Sequence, residues 1–373
     1  MHDITSSFDN KKQVDIAILD FSKAFDTVPH KRLLAKLAHY GITGNILGWI
    51  QGFLSDRHQR VIVDGTSSGQ VTVDSGVPQG TVLGPLLFLC HINDLPTRVT
   101  SSVRLFDDDC LLYREITSEE DHIALQDDLT SLQTWAEMWG MIFNPTKCYV
   151  MKTGRKRSLS NWIYTLHDHP LEVVPKNPYL GLTLSEDLKW GPHINKITKK
   201  ASGILGFLRR NLSSCPTDLK ELAYFSLVRS NLEYSSPVWD PFLKTDINKL
   251  EAVQRRAARF VLNNYKWDSS VTAMLKSLNW QSLSSRRREA RVTLLYKIIH
   301  GLVAVPCDEF ISRNFSKTRS SNSHRLKVFS PQTETFRNSF FPRTVIDWNR
   351  LPDDIITATT IEQYKQVLNH HFD

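Results

Sequence analysis

The 373-residue chain reads as an α+β protein, with an antiparallel sheet and packed helices in its first half and helices in its second. Three observations predict this. Apolar runs that end in acids, Val14–Leu19 before Asp20 and the pair Val103–Phe106 and Cys110–Tyr113 around Asp107, Asp108 and Asp109, alternate with segments of helical period. From about His193 the character changes to basic amphipathic helices. The charge divides as well: residues 1–150 hold 12 Lys+Arg against 19 Asp+Glu, a balance of −7, and residues 151–373 hold 34 against 20, a balance of +14. An acidic front suits metal-dependent phosphoryl transfer, and a basic back suits a surface that neutralises phosphates; two unrelated solvated surfaces would give the same totals.

Each element follows in order. Val14–Leu19 is a buried strand that delivers Asp20 at its C-terminal end. Pro29 opens a helix with Leu33, Leu34 and Leu37 on one face and Gly41 as its stop, and Ile46, Leu47, Ile50, Phe53 and Leu54 mark a second helix. Arg60–Val63 and Gln70–Val73 read as strands around the Asp64-Gly65 turn, and Ser75–Gly80 breaks regular structure before a buried helix over Leu83–Ile92. Three consecutive aspartates then sit at a tight hairpin turn, followed by a helix over Glu119–Trp139, a strand over Tyr149–Lys152 and a turn at Tyr179-Leu180-Gly181. In the second half Ile247, Leu250, Val253, Ala257 and Val261 share a helical face, with Arg255, Arg256 and Arg259 nearby.

Several classes are excluded from the expectation. The longest apolar run, Val82–Cys90, contains Gly84 and Pro85 and is too short for a bilayer span, and no secretory segment opens the chain, so no membrane partner and an intracellular place, in cytoplasm or nucleus, are expected. Lys152 with Arg155-Lys156-Arg157 makes a weak nuclear-import signal. Five scattered cysteines without a C-x-x-C pair read as reduced packing residues.

Asp20, Asp108 and Asp109 brought together by strands would repel one another unless divalent ions neutralised them. Two Mg²⁺ ions, or Mn²⁺, would stabilise the attacking and leaving oxygens of an in-line displacement, which is the chemistry of nucleotide addition. A lone Asp20 would equally be a turn cap, and a lone Pro-Gln-Gly a simple turn.

The ordered blocks carry a resemblance. Leu19-Asp20-Phe21-Ser22-Lys23-Ala24-Phe25-Asp26, Ser75-Gly76-Val77-Pro78-Gln79-Gly80 and Phe106-Asp107-Asp108-Asp109 resemble motifs A, B and C of reverse transcriptases. Phe143-Asn144-Pro145-Thr146-Lys147 and Tyr179-Leu180-Gly181-Leu182 are similar to motifs D and E of non-LTR, LINE-type elements, especially the jockey-like groups. The tail, with Glu233–Trp239, Phe341-Pro342-Arg343 and Trp348–Pro352, resembles the end of the same proteins.

The resemblance implies a right-hand polymerase palm followed by a helical thumb. It implies Asp20, Asp108 and Asp109 as metal ligands, Phe25 as a gate against the ribose 2′-hydroxyl, and Gln79 and Gly80 against the template and nascent base pair. It also implies Lys147 beside the departing pyrophosphate, with an RNA template, a DNA primer and dNTPs as partners. The expected division is a flexible N-terminus over 1–12, a palm with residual fingers over 13–190, a thumb over 191–265, and a helical extension over 266–373 with a linker near 313–336. Arg255, Arg256 and Arg259, and the run Arg286-Arg287-Arg288, are candidate phosphate contacts. Two departures stand out: Asp107 replaces a small or apolar residue, and only 19 residues precede Asp20, where the family places its fingers. An N-terminally truncated copy with reduced activity is therefore expected, and a catalytically inactive RNA- or DNA-binding remnant is the alternative.

Overall fold

The computed structural model describes residues 1–155, 159–312 and 324–372. They form two compact units, residues 11–181 and residues 1–10 with 182–373.

The centre of the first unit is strand β1, Gln13–Asp20, whose residues are buried as far as Leu19. Its composition, Val-Asp-Ile-Ala-Ile-Leu, suits a strand covered on both faces. Four further strands complete the sheet: β2, Ser102–Phe106; β3, Asp109–Ile116; β4, Tyr149–Thr153; and β5, Glu172–Val173. The order is β5-β4-β1-β3-β2. β1 runs antiparallel to both neighbours, and its register with β3 runs from Gln13 opposite Ile116 to Asp20 opposite Asp109. β5 joins β4 in parallel.

The helix Glu119–Trp139 packs Leu125, Leu129, Leu132, Trp135 and Ala136 into the core. Ser118 and Asp121 form a capping box at its start, and Gly140, at φ +74°, ends it. Helices His30–His39, Gly44–Leu54 and Leu83–Ile92 fall where apolar spacing placed them. The expected hairpin around Asp64-Gly65 is present, with shorter ladders than the sequence implied: His58–Gln59 pairs with Val71–Thr72, and Ile62–Val63 with Thr66–Ser67.

The second unit is helical apart from a strand at Leu182–Ser185. Gly191–Asn211 and Lys244–Val261 bury Ile194, Ala201, Leu205, Leu250, Val253, Ala257 and Val261 around Trp239. A further core gathers Leu295, Tyr296, Val345, Trp348 and Tyr364.

Several expectations require correction. Residues 1–12 are not a flexible tail: His2–Asp9 is a helix, and the His2 ring lies 5.0–5.9 Å from the rings of Phe310, Phe329, Phe336 and Phe341. The Asp9 carboxylate accepts the backbone N–H groups of Gln332 and Thr333. So short a segment offers only Ile4 and Phe8 at helical spacing, and the surface that orders it comes from the far end of the chain. The boundary near 190 falls at 181, and Met274, Trp280 and Leu283 share one core with residues 194–261, so no break follows 265.

Residues 313–323 of the expected linker lie outside the described residues, but beyond them Leu326 and Phe336 are buried and Thr333 caps a turn of helix at Glu334–Arg337. Ser and Thr enrichment there serves capping as well as looseness. Arg286, Arg287 and Arg288 are engaged within the protein, with Glu233, Asp240 and Asp347 respectively. Arg287 is fully buried because Asp240 offers it a carboxylate at 2.7 Å, a partner invisible to a reading of the basic run alone. Lys152 likewise turns inward and donates to the carbonyls of Ser160 and Trp162, which removes it from any exposed import signal; Lys156 and Arg157 of that signal lie outside the described residues.

Candidate active site

β1 and β3 end together, so Asp20 and Asp109 face each other across the central ladder. Phe106 pairs with Asp109, leaving Asp107 and Asp108 as a two-residue turn. Asp107 has φ +56°, a left-handed conformation that aspartate tolerates better than most side chains. Partial burial first, then Asp108, Asp20 and Asp107, raise the proton affinity of Asp109 above the usual carboxylate range. Burial and Asp108 do the same to Asp107. Burial, followed by Asp109, pushes the Tyr179 phenol up to about 12, which marks Tyr179 as a neighbour of the acids.

A second segment is stitched to Asp20 from the other side. The Asn144 N–H donates to the Asp20 carbonyl at 2.9 Å, the Ser22 N–H donates to the Ile142 carbonyl at 2.7 Å, and Phe21 stacks on Phe143 at 4.2 Å. Asn144 also caps the short turn Pro145–Lys147. The result brings the Lys147 ammonium to 3.6 Å from the Asp20 carboxylate, although the two are far apart in sequence. This exposed pair adds little stability; its significance lies in its position.

The third segment is Ser75–Gly80. The Gly76 N–H donates to the Val28 carbonyl, the Val77 N–H to the Phe25 carbonyl and the Ser75 hydroxyl to the Asp26 carbonyl, at 2.7–2.8 Å. Arg57 and His30 both reach the Gly76 carbonyl. Gln79 donates to the Asp26 carboxylate at 3.2 Å, and Phe25, half-buried, stacks on Phe88 at 4.6 Å. Gly76, at φ +81°, has no room for a Cβ, which would stand 2.6 Å from the Phe25 carbonyl oxygen; Gly80, at φ +79°, faces open space.

The structure therefore gathers Asp20, Asp109 and Lys147, holds Asp108 on the adjoining turn, and ties Gln79 to the segment that carries Phe25. Gly76, Asp26 and Tyr179 stood in the sequence only as members of longer blocks, and Arg57 was not singled out at all. Only the glycine offered a signal, as a residue able to adopt positive φ inside a motif.

Among the described residues, no three His, Cys, Asp or Glu side chains converge to hold a metal ion by themselves. The donor set nevertheless fits Mg²⁺. That ion takes hard oxygen ligands, is held through one or two carboxylates, and leaves its other positions to water and phosphate rather than to a full protein cage. Opposed Asp20 and Asp109 with Asp108 beside them match that need.

In the helical unit Arg255 and Arg256 line a cavity of about 640 Å³ together with Lys199 and Lys249, two cations that sequence reasoning did not connect to them. Arg259 also borders it, but its guanidinium donates to the carbonyls of Asn264, Lys266 and Ser269 and so holds a loop.

A sheet that sets acids at one end beside a lysine offers the oxygen ligands and the cation that a phosphoryl-transfer site needs. Residues 1–184 match the family described as "Reverse transcriptase (RNA-dependent DNA polymerase)", and the chain belongs to that family. Its relatives are polymerases of non-LTR retrotransposons. Over 274 residues it is 30% identical to the "Probable RNA-directed DNA polymerase from transposon BS" of Drosophila melanogaster, covering 69% of this chain and 30% of that protein. Over 272 residues it is 29% identical to the "RNA-directed DNA polymerase from mobile element jockey" of the same organism, covering 68% and 29%. The chain thus spans about 30% of the length of these relatives. A solved structure of apo telomerase from Candida tropicalis overlaps 81% of this chain and 49% of that one, at 12% identity and a TM-score of 0.42.

Proposed function

We propose that this chain performs RNA-templated DNA synthesis in retrotransposition, adding deoxynucleotides from dNTPs to a primer 3′-hydroxyl. The observation that carries the reading is the meeting of Asp20, Asp109 and Lys147 at one end of the central sheet, with Asp108 on the turn beside them. In this reading residues 11–181 are the palm and the helical unit contains the thumb.

Asp20, Asp108 and Asp109 would hold two Mg²⁺ ions. When bound, these supply Lewis acidity toward the 3′-oxygen and the triphosphate. The protein's own groups do the rest. Lys147, exposed and already drawn to Asp20, swings to the departing pyrophosphate and neutralises or protonates it. The Phe25 ring, fixed by Phe88, fills the space that a 2′-hydroxyl would need. Gln79 and Gly80 present a polar side chain and a bare backbone to the nascent base pair, and Arg255 and Arg256 with Lys199 and Lys249 contact the phosphates of the duplex. Asp107 adds a third negative charge to the turn and weakens the site.

Primer extension on an RNA template with dNTPs and Mg²⁺ tests the reading. Asp108→Ala is expected to abolish extension while leaving salt-sensitive RNA–DNA binding intact, and extension that survives this change would refute it. A binding remnant without catalysis is the second reading, favoured by the third carboxylate, Asp107, that the turn sets beside Asp108 and Asp109. It predicts binding in both proteins and extension in neither.

A further inference from the structure

The helical unit contains a cluster that nucleotide addition does not use. Arg209 and Arg210, from the last turn of Gly191–Asn211, converge with Lys220, from Thr217–Ala223, on a cavity of about 380 Å³. Ser213, Phe260 and Tyr265 contribute to its wall, and among the described residues no acid lines it. Two of the cations lean on rings: Arg209 lies 5.1 Å from the centroid of Tyr265, and Lys220 lies 5.6 Å from that of Phe260. Arginines in a last helical turn ordinarily complement the helix dipole. That role does not explain why a third cation, Lys220, only 5% exposed, comes from another helix to the same cavity. A nearly buried ammonium favours a counter-charge, and an anion in the cavity would supply one.

Beside this cavity a short loop displays aromatic rings. Arg259 donates to the carbonyls of Asn264, Lys266 and Ser269, and the Asn264 side chain accepts the Lys266 N–H and the Ser269 hydroxyl. Those hydrogen bonds fix the loop. Tyr265 on it is half-exposed, and Trp267 is 94% exposed. An indole held almost wholly in water by a pinned loop forgoes one of the largest apolar burials a side chain can make. Lys266 lies between the two rings in sequence.

We infer that this cavity and loop form a binding site for single-stranded nucleic acid, with a backbone phosphate among Arg209, Arg210 and Lys220 and adjacent bases stacked on Tyr265 and Trp267. The cations track the backbone, and the rings offer a surface on which any base can stack, so the site tolerates many sequences. Paired bases have their faces already covered, which restricts the rings to unpaired ones. The cavity is separate from the one that Lys199, Lys249, Arg255 and Arg256 line. The inference shares with the polymerase reading only the class of partner. Loss of extension in Asp108→Ala tests catalysis, whereas the variants below leave the acids untouched.

The test is fluorescence anisotropy of labelled oligouridylate and oligodeoxythymidylate, about ten nucleotides long, with the full chain across a salt series. Trp267→Ala, Tyr265→Ala and the double change Arg209→Ala with Arg210→Ala are compared with the parent, with circular dichroism as a check on folding. Trp267→Ala is expected to weaken single-strand binding about tenfold, the loss of roughly one stacked base, with duplex binding unchanged. The arginine double variant should flatten the log-affinity against log-salt slope by about 0.7 for each phosphate that is no longer neutralised. Tighter binding of the RNA oligomer would assign the site to a template strand, and tighter binding of the DNA oligomer to a DNA strand. An oligomer carrying 5-iodouracil should crosslink to the peptide containing Tyr265 and Trp267. Unchanged single-strand affinity in Trp267→Ala, or binding of a mononucleotide as tight as that of the oligomer, would overturn the inference.

Discussion

Replacing Gly76 with alanine tests whether Ser75–Gly80 acts as the frame that sets Phe25 and Gln79. A Cβ at Gly76 would stand 2.6 Å from the Phe25 carbonyl oxygen and 2.7 Å from the Asp26 Cα and carbonyl oxygen, all backbone atoms that no rotamer change can clear. The left-handed φ of +81° adds about 1–2 kcal/mol of strain for an L-residue. Relief of the clash requires the two segments to separate, which breaks the hydrogen bonds from Ser75, Gly76 and Val77 to residues 25–28, at about 1 kcal/mol each. The total is about 4–5 kcal/mol, roughly a 10 °C drop in Tm for a unit of this size. A displacement of about 1 Å at Phe25 and Gln79 would cost on the order of 100-fold in extension rate. Gly80→Ala is the internal comparison: its φ is nearly the same but its Cβ meets nothing within 4 Å, so only the strain of about 1–2 kcal/mol remains. Thermal melting of both variants, with single-nucleotide extension of Gly76→Ala, provides the measurement. Equal tolerance of the two substitutions would refute the reasoning, because strain at positive φ would then account for everything and the close approach to residues 25–26 for nothing.

Further outcomes follow from the same geometry. Phe25→Ala should raise incorporation of ribonucleotides relative to deoxyribonucleotides by about tenfold or more, and an unchanged ratio in competition assays would remove Phe25 as the gate. Asp107→Asn keeps a side chain that tolerates φ +56° while deleting a charge next to Asp108 and Asp109, so extension at limiting Mg²⁺ should rise several-fold; no gain over the parent would show that Asp107 is harmless. Burial lowers His91 and His193 to about 4, with Lys36 and Lys196 respectively adding to the effect. Both are neutral when folded and titrate at 6.5 when unfolded, so the associated stability is complete above pH 6.5 and is lost as pH falls toward 4. Each contributes up to about 3 kcal/mol, and urea melts at pH 7 and pH 4.5 that coincide would contradict this. Asp240→Asn should cost about 3–5 kcal/mol, because the guanidinium groups of Arg287 and Arg291 would remain buried beside a neutral amide, and a Tm within about 2 °C of the parent would count against it.

What the sequence made legible was local. Strand β1, the aspartate turn, the helix Glu119–Trp139 and the glycine-bearing loop announce themselves by periodicity and turn chemistry, and Asp20, Asp108 and Asp109 stand out as acids at strand ends. What it concealed were partners distant in sequence. Nothing in a basic run reveals that Arg287 turns toward Asp240, and nothing in residues 2–9 reveals the phenylalanines that enclose His2. The same limit applies within the site. Gln79 and Gly80 attract notice because the motif ends on them, yet the tightest steric constraint falls on Gly76, and it arises from the backbone of residues 25–26, far earlier in the chain.

The placement of Lys147 shows how the pieces depend on one another. A lysine in a short turn has no defined direction until Asn144 caps that turn, Phe143 stacks on Phe21, and the Asn144 N–H donates to the Asp20 carbonyl. Together these convert sequence neighbours of Lys147 into a brace against strand β1. The ammonium reaches the acids because the backbone beneath it is fixed, and weakening that brace, for example at Phe143, should detach Lys147 from Asp20 without altering either side chain.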